Sequence, residues 1–250
     1  MAKVNGSANG HAGYAERTHR DPNPLKRWVQ GRRLEDALRW AERRGEPSRI
    51  VDFGCGDGEL CRRAAQRWPG CEVVGFEPAA ELRAQATAAG IEGVRYVEAE
   101  AQLPEAWADV VFCTEVFEHL PDAETETALR EIHRILSPDG RVVIGVPVEV
   151  GPPAAAKGLF RMLRRWGDED ARPGPVLAAM AGRPKKSRFR DWIAPGRAYF
   201  PHHIGFDHRP LIRRLAPLFR VEQVAGSPLA ALPVWLNSEA YIVARRAGDA

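Results

Sequence analysis

Short apolar runs punctuate the first 150 residues at regular intervals: Arg49–Phe53, Glu72–Glu77, Val94–Glu98, Ala108–Cys113 and Arg141–Val146. They are too apolar to be exposed on both faces, and they predict buried strands. Between them the apolar positions fall three and four apart, which predicts helices from about Gly58 to Trp68, from Ala80 to Ala89 and from Asp122 to Leu136. Pro69-Gly70 ends the first of these. The third has acids in its first turn, apolar residues at 128, 129, 132, 135 and 136, and Ser137-Pro138-Asp139-Gly140 as a stop. Ahead of them, Asn23 and Pro24 read as the N-cap and first-turn proline of a helix to about Arg44, with Leu34, Ala37, Leu38 and Ala41 on one face. Lys26, Arg27, Arg32 and Arg33 crowd its other face, which could meet an acidic substrate, a solvated face being the favoured expectation. Strand and helix in alternation predict a parallel sheet covered on both sides, with ligands at the carboxyl ends of its strands.

From Glu149 to about Phe206 this rhythm breaks. Prolines and glycines are frequent, and residues 157–190 carry ten Lys or Arg against three acids. The segment 149–206 is expected to be an insertion that caps the substrate. Within it Leu159, Met162, Leu163 and Trp166 share one helical face while Arg161, Arg164 and Arg165 fall elsewhere. Such a basic amphipathic helix can rest on a membrane surface or on the protein's own core, and packing against the core is the favoured expectation. Afterwards Asp207 or His208 opens a helix to about Leu218, and Phe219–Val224 and Ala240–Ala244 read as two last strands. Residues 1–20 are expected to be a disordered tail, leaving 21–250 as a single domain.

The composition fits one globular domain: 44% of the 250 residues are apolar. A net charge of +3 does not by itself call for a nucleic-acid partner. The four cysteines have irregular spacing without a C-x-x-C pair, and reduced thiols in a cytoplasmic protein are expected. No apolar run approaches the length of a membrane span, and no apolar signal core opens the chain.

The chemistry concentrates in Asp52-Phe53-Gly54-Cys55-Gly56-Asp57-Gly58, where a strand runs into a glycine turn and then a helix. Glycines allow positive φ and close approach of a flat ligand. The dinucleotide fingerprint G-x-G-x-x-G is not met, since Glu59 stands where the third glycine would fall. A carboxylate two residues before the first glycine would repel a pyrophosphate but attract a sulfonium that carries an α-amino group, so Asp52 points to S-adenosylmethionine. About 20 residues further on, Glu77 ends the second strand where a carboxylate suits both ribose hydroxyls.

This D-x-G-x-G-x-G turn resembles motif I of the class I (Rossmann-like) S-adenosylmethionine-dependent methyltransferases, in particular those of type 11/12. Leu129-Arg130-Glu131-Ile132-His133-Arg134-Ile135-Leu136-Ser137-Pro138-Asp139-Gly140 is similar to the L-x-E-x-x-R-x-L-x-P-x-G segment of that family, so the resemblance spans residues 49–147. It implies a doubly wound α/β fold whose seven-stranded, mainly parallel sheet has the order 3-2-1-4-5-7-6, with the last strand antiparallel. It also implies that Glu100, in Glu100-Ala101-Gln102-Leu103-Pro104, holds the adenine amino group, with Glu98 as a rival. The expected cofactor residues are Asp52, Gly54, Cys55, Gly56, Gly58, Glu77, Pro78, Glu100, Ala101, Thr114 and Glu115.

Methyl transfer from a sulfonium needs alignment above all, and an oxygen or nitrogen acceptor also needs a base near neutrality. His119, just past the fourth strand, is the expected base, with His202 and His203 as substrate-binding residues. Glu115, Glu118 and His119 stand at i, i+3 and i+4, where one helical turn would gather two carboxylates and an imidazole. That spelling is similar to two metal-using groups of the superfamily, the small-RNA 3′-end 2′-O-methyltransferases and the ubiquinone-pathway O-methyltransferases, but no metal is assigned from it. The favoured reading is transfer to an O, N or C atom of a small-molecule or lipid- or sugar-linked acceptor, shaped in part by Gly205-Phe206-Asp207 and Leu236-Asn237-Ser238. Two others stay open. One is an RNA methyltransferase whose basic insertion tracks phosphates, with Phe160, Trp166, Phe189 and Trp192 for stacking. The other is a cofactor-binding regulatory protein without catalysis. Peripheral membrane contact stays open as well.

Overall fold

The computed structural model describes residues 24–42, 45–164, 166, 169–184 and 188–248. The expected tail and the Asn23 cap lie outside them. Helix α1 (Pro24–Glu42) is followed by the alternation β1 (Arg49–Phe53), α2 (Glu59–Arg67), β2 (Glu72–Phe76), α3 (Ala80–Ala88), β3 (Val94–Val97), β4 (Ala108–Thr114), α4 (Asp122–Ile135) and β5 (Leu136–Pro147). Then come α5 (Pro152–Arg164), α6 (Pro173–Met180), the hairpin β6 (Asp191–Ala194) and β7 (Arg197–Tyr199), α7 (His208–Leu215), β8 (Phe219–Ser227) and β9 (Glu239–Arg246).

The main sheet has the order β3-β2-β1-β4-β5-β9-β8. Pairs β1–β2, β1–β4, β2–β3 and β4–β5 are parallel, whereas β9 runs antiparallel to both β5 and β8. The expected fold class and strand order are therefore observed, and the additional hairpin β6–β7 belongs to the insertion. Alternate residues of each strand enter the two cores. In β1, Val51 and Phe53 join Leu129, Ile132 and Ile135 of α4 on one side, and Ile50 joins Leu38 of α1 and Leu60 of α2 on the other. Burial of each such side chain contributes about 1.5–3 kcal/mol. This double packing makes the sheet the rigid element whose carboxyl edge carries the site.

Two local expectations fail. Ser137-Pro138-Asp139-Gly140 does not separate helix from strand. Leu136 already pairs with Ala108, the register jumps before Val110 pairs with Arg141, and the segment is an irregularity within β5. Gly140 suits it, since a Cβ there would lie 2.7 Å from the Ala108 carbonyl oxygen.

The second failure is α5. Its apolar face does not pack on the core: Leu159, Leu163 and Trp166 are 56, 78 and 73% exposed. Instead Lys157 Nζ and Arg161 Nη2 turn inward to Glu149, a buried acid, at 3.1 and 2.8 Å, and Arg161 also meets buried Asp170 at 3.6 Å. Two residues along a helix are about 200° of rotation, so a face formed by 157 and 161 sends 159 and 163 outward. A buried carboxylate without a cation is expensive, and here that cost outweighs the exposure of a few apolar side chains. No helix among the described residues is long and apolar enough to cross a membrane.

Candidate active site

The glycine turn leaves β1 with Gly54, Gly56 and Gly58 all at positive φ, 82°, 57° and 79°. Gly54 and Cys55 N–H groups donate to the Phe76 carbonyl at 2.8 and 3.0 Å, which ties the turn to the end of β2. Only glycine serves at the first and last positions, because a Cβ would also overlap Val116 at Gly54 and the Tyr96 hydroxyl at Gly58. Glu77, buried at the end of β2, completes the cradle: Oε2 accepts from Gly56 N at 2.9 Å and Oε1 from Ala79 N at 2.8 Å. Beneath the turn, Asp52 is fully buried. Burial pushes its carboxyl up to about 7 despite a hydrogen bond from Cys61 Sγ at 3.4 Å, and the neighbouring Glu77 adds to the rise. A cation placed nearby would restore the charged form, so this edge favours a positively charged ligand over a phosphate.

The turn opens into a cavity of about 1550 Å³. Of the residues expected to bind the cofactor, Asp52, Gly54, Cys55, Gly56, Glu77, Pro78, Glu100, Thr114 and Glu115 line it. Gly58 does not, since it stands at the N-cap of α2, and Ala101 is exposed outside the wall. Glu100 is in the wall, but Arg197 of β7 holds both of its oxygens, so the acid expected to hold adenine also clasps the insertion. Its rival Glu98 lies outside and pairs with Arg83 at 2.9 Å.

The far side of the cavity is built around His119, on the turn Phe117–His119 after β4. Its Nδ1 lies 2.6 Å from the Phe200 carbonyl and so carries the proton, which leaves Nε2 as an acceptor. Nε2 stands 3.2 Å from Nε2 of His203, and burial lowers the pKa of both imidazoles, His203 the more strongly. His119 is thus a neutral imidazole at neutral pH. His203, expected to bind the substrate, is in the cavity wall. His202 is not: its carbonyl accepts from Arg188, and its ring is no part of the wall.

The expected grouping of Glu115 with Glu118 and His119 is not formed. Glu115 adopts φ 58°, its N–H donates to the Gly145 carbonyl at 2.9 Å, and its carboxylate turns to Arg33 at 3.2 Å. This also corrects the reading of α1, because Arg33 faces the cavity rather than solvent. His203 takes the place of Glu115: ligand atoms of Glu118, His119 and His203 lie within 4.8 Å of one another. Glu118 is wholly buried with both oxygens unpartnered, and burial pushes it up to about 8. Two imidazoles and an unpartnered carboxylate fit a divalent cation, with the Phe200 carbonyl orienting the first ring.

Sequence reasoning missed the ionic floor of the cavity, where Glu149, Glu239, Lys157 and Arg161 join Arg33 and Glu115. Its one legible signal is polarity at strand ends: Glu149 follows the apolar run of β5, and Glu239 opens that of β9. Burial pushes Glu239 up to about 8, with Glu115 beside it, whereas Lys157 and Arg161 hold Glu149 below its ordinary range against its burial. The two segments expected to shape the acceptor pocket are structural. Asp207 caps α7, and Asn237 ties down the loop at Leu229.

Fold and cavity together define a Rossmann-like α/β architecture with a glycine-cradled ligand site at the carboxyl edge. A family model described as a methyltransferase domain matches residues 25–203, and the chain belongs to that family. The class expected from motif I is therefore borne out. The chain is 36% identical over 141 residues to a demethylmenaquinone methyltransferase of Thermus thermophilus, covering 51% of this chain and 60% of that one. It is 32% identical over 154 residues to a trans-aconitate 2-methyltransferase of Azoarcus sp., covering 58% and 55%. The chain thus spans somewhat over half the length of these curated relatives. Among solved structures, magnesium protoporphyrin IX methyltransferase of Synechocystis, with bound S-adenosylhomocysteine, shares the fold at a TM-score of 0.55 and 17% identity, over 93% of this chain and 92% of that one.

Proposed function

We propose that this protein transfers a methyl group from S-adenosylmethionine to a hydroxyl or amine of a small-molecule acceptor bound under the insertion. The observation that carries the proposal is one cavity with two unlike ends. One end is the glycine turn with Glu77 and Asp52, and the other is the neutral His119–His203 pair. The cofactor supplies an activated methyl group, and the chain's residues hold and orient. Backbone of residues 54–56 takes the amino-acid moiety beside Asp52, Glu77 takes the ribose, and Glu100 borders the adenine. His119 Nε2 removes the acceptor proton as the methyl group is transferred, its lone pair fixed by the Nδ1–H to Phe200 bond and exchanging the His203 Nε2–H for the acceptor's proton-bearing group.

The cavity also limits the acceptor. Its cations Arg33, Lys157 and Arg161 already face Glu115 and Glu149. A tricarboxylate would add uncompensated negative charge, so a neutral or cationic acceptor fits better than one like that in the name of the Azoarcus relative. A panel of hydroxyl, amine and carboxylate compounds, assayed for release of S-adenosylhomocysteine, tests this. Turnover confined to carboxylates would overturn it.

A second reading is favoured by Glu118, His119 and His203 alone: a divalent cation held there would lower the pKa of an acceptor hydroxyl. Activity lost in excess chelator and restored by added metal would establish it; undiminished activity leaves His119 as the base.

A further inference from the structure

Helix α5 is amphipathic with its polarity reversed, and the charged face is the one accounted for. Lys157 and Arg161 serve the buried acids, and the outer face presents Leu159, Phe160, Leu163 and, just beyond the helix, Trp166, each 49–78% exposed. Helix α6 packs against α5 so closely that a Cβ at Gly158 would overlap Val176, and it adds Leu177 and Met180 at 57 and 45% exposure. A soluble monomer rarely leaves so many large apolar groups adjacent, so this face marks an interaction surface.

The charges around it select the partner. Among the described side chains of 152–190, every exposed charged residue is an arginine: Arg164, Arg172, Arg183 and Arg190. Arg164 lies over the Phe160 ring at 5.4 Å, which places a cation on the patch itself. Asp170, the described acid of this stretch, is buried. A second copy joined by a two-fold axis would set like cations against each other. Aromatic and leucine side chains with Arg164 laid over Phe160, in a stretch whose other exposed described charges are also arginines, match instead the boundary of a bilayer with anionic headgroups.

We propose that the α5–α6 face of the insertion docks on an anionic lipid surface. The inner face of the same helix lines the cavity, so docking would bring the acceptor compartment next to the membrane. The inference does not depend on the reaction proposed above.

The test is co-sedimentation of the full chain with vesicles of phosphatidylcholine alone or mixed with phosphatidylglycerol. Binding is expected to the mixed vesicles, at least tenfold stronger than to the neutral ones, and weakened by high salt. Leu163→Glu and Trp166→Glu should each reduce it tenfold or more. Neither residue lines the cavity, so calorimetric binding of S-adenosylmethionine should stay unchanged in both variants and report that they fold. Equal binding to both vesicle types, no binding to either, or Leu163→Glu binding as wild type would overturn the proposal. So would light scattering that shows a dimer which Leu163→Glu dissociates without any vesicle binding.

Discussion

Replacing Glu77 by alanine separates the two tasks assigned to its carboxylate. A carboxylate accepts about four hydrogen bonds. Glu77 holds Gly56 N–H and Ala79 N–H at 2.9 and 2.8 Å, and under the proposed function the same group receives two ribose hydroxyls. A hydrogen bond to a charged partner contributes about 1.5–3 kcal/mol, so loss of two to the ribose weakens the cofactor by about 3–6 kcal/mol. That is roughly a hundredfold to ten-thousandfold increase in Kd. The backbone donors also lose their acceptor, and the partly buried turn should lose about 1–3 kcal/mol of stability as water takes it over. Glu77→Gln, which keeps one acceptor oxygen and roughly the same volume, should lie between wild type and alanine. Calorimetry with S-adenosylmethionine, beside circular dichroism to verify folding, reads both effects. A folded Glu77→Ala protein that binds the cofactor within threefold of wild type would refute the ribose assignment.

Three further outcomes follow from the same geometry. His119→Ala should lower kcat by about 10²–10⁴-fold while leaving cofactor affinity intact, and the acid limb of the wild-type pH–rate profile should lie below the ordinary histidine range, because burial favours the neutral ring. Gly58→Ala, forced to φ 79° against Tyr96, should cost about 2–4 kcal/mol in urea unfolding. Stability should fall as pH rises from 7 to 8: Glu118 and Glu239, pushed up to about 8 by burial, keep protons that the unfolded chain has already released, and above their folded values these two carboxyls contribute no further loss. The histidines, neutral in both states over this window, do not oppose it, and Glu118→Gln should flatten the slope in thermal melts at each pH.

What the sequence made legible is what depends on local pattern. Val51, Val74 and Val111 sit in runs that must be buried on two sides, and a chain of such runs alternating with helices has few ways to fold. Motif I was legible because positive φ at Gly54, Gly56 and Gly58 leaves a trace in residue type. At the acceptor end residue type marked His119 and His203 one by one, but not their pairing. His203 reaches His119 only because the insertion returns there, 84 residues later in the chain. Glu115 leaves its expected partners because a single positive φ redirects its side chain to Arg33, and no periodicity encodes that. The reading of α5 failed for a different reason. Amphipathic pattern tells which residues share a face, but the face turned inward was decided by the long-range need of Glu149 and Asp170 for cations.

The central claim is that residues 52–56 with Glu77 hold a sulfonium cofactor rather than a dinucleotide. Isothermal calorimetry of the unmodified chain with S-adenosylmethionine, S-adenosylhomocysteine and NADH tests it directly. Saturable binding of the first two at one site per chain is expected, and none of NADH. Binding of NADH without binding of either S-adenosyl compound would contradict it.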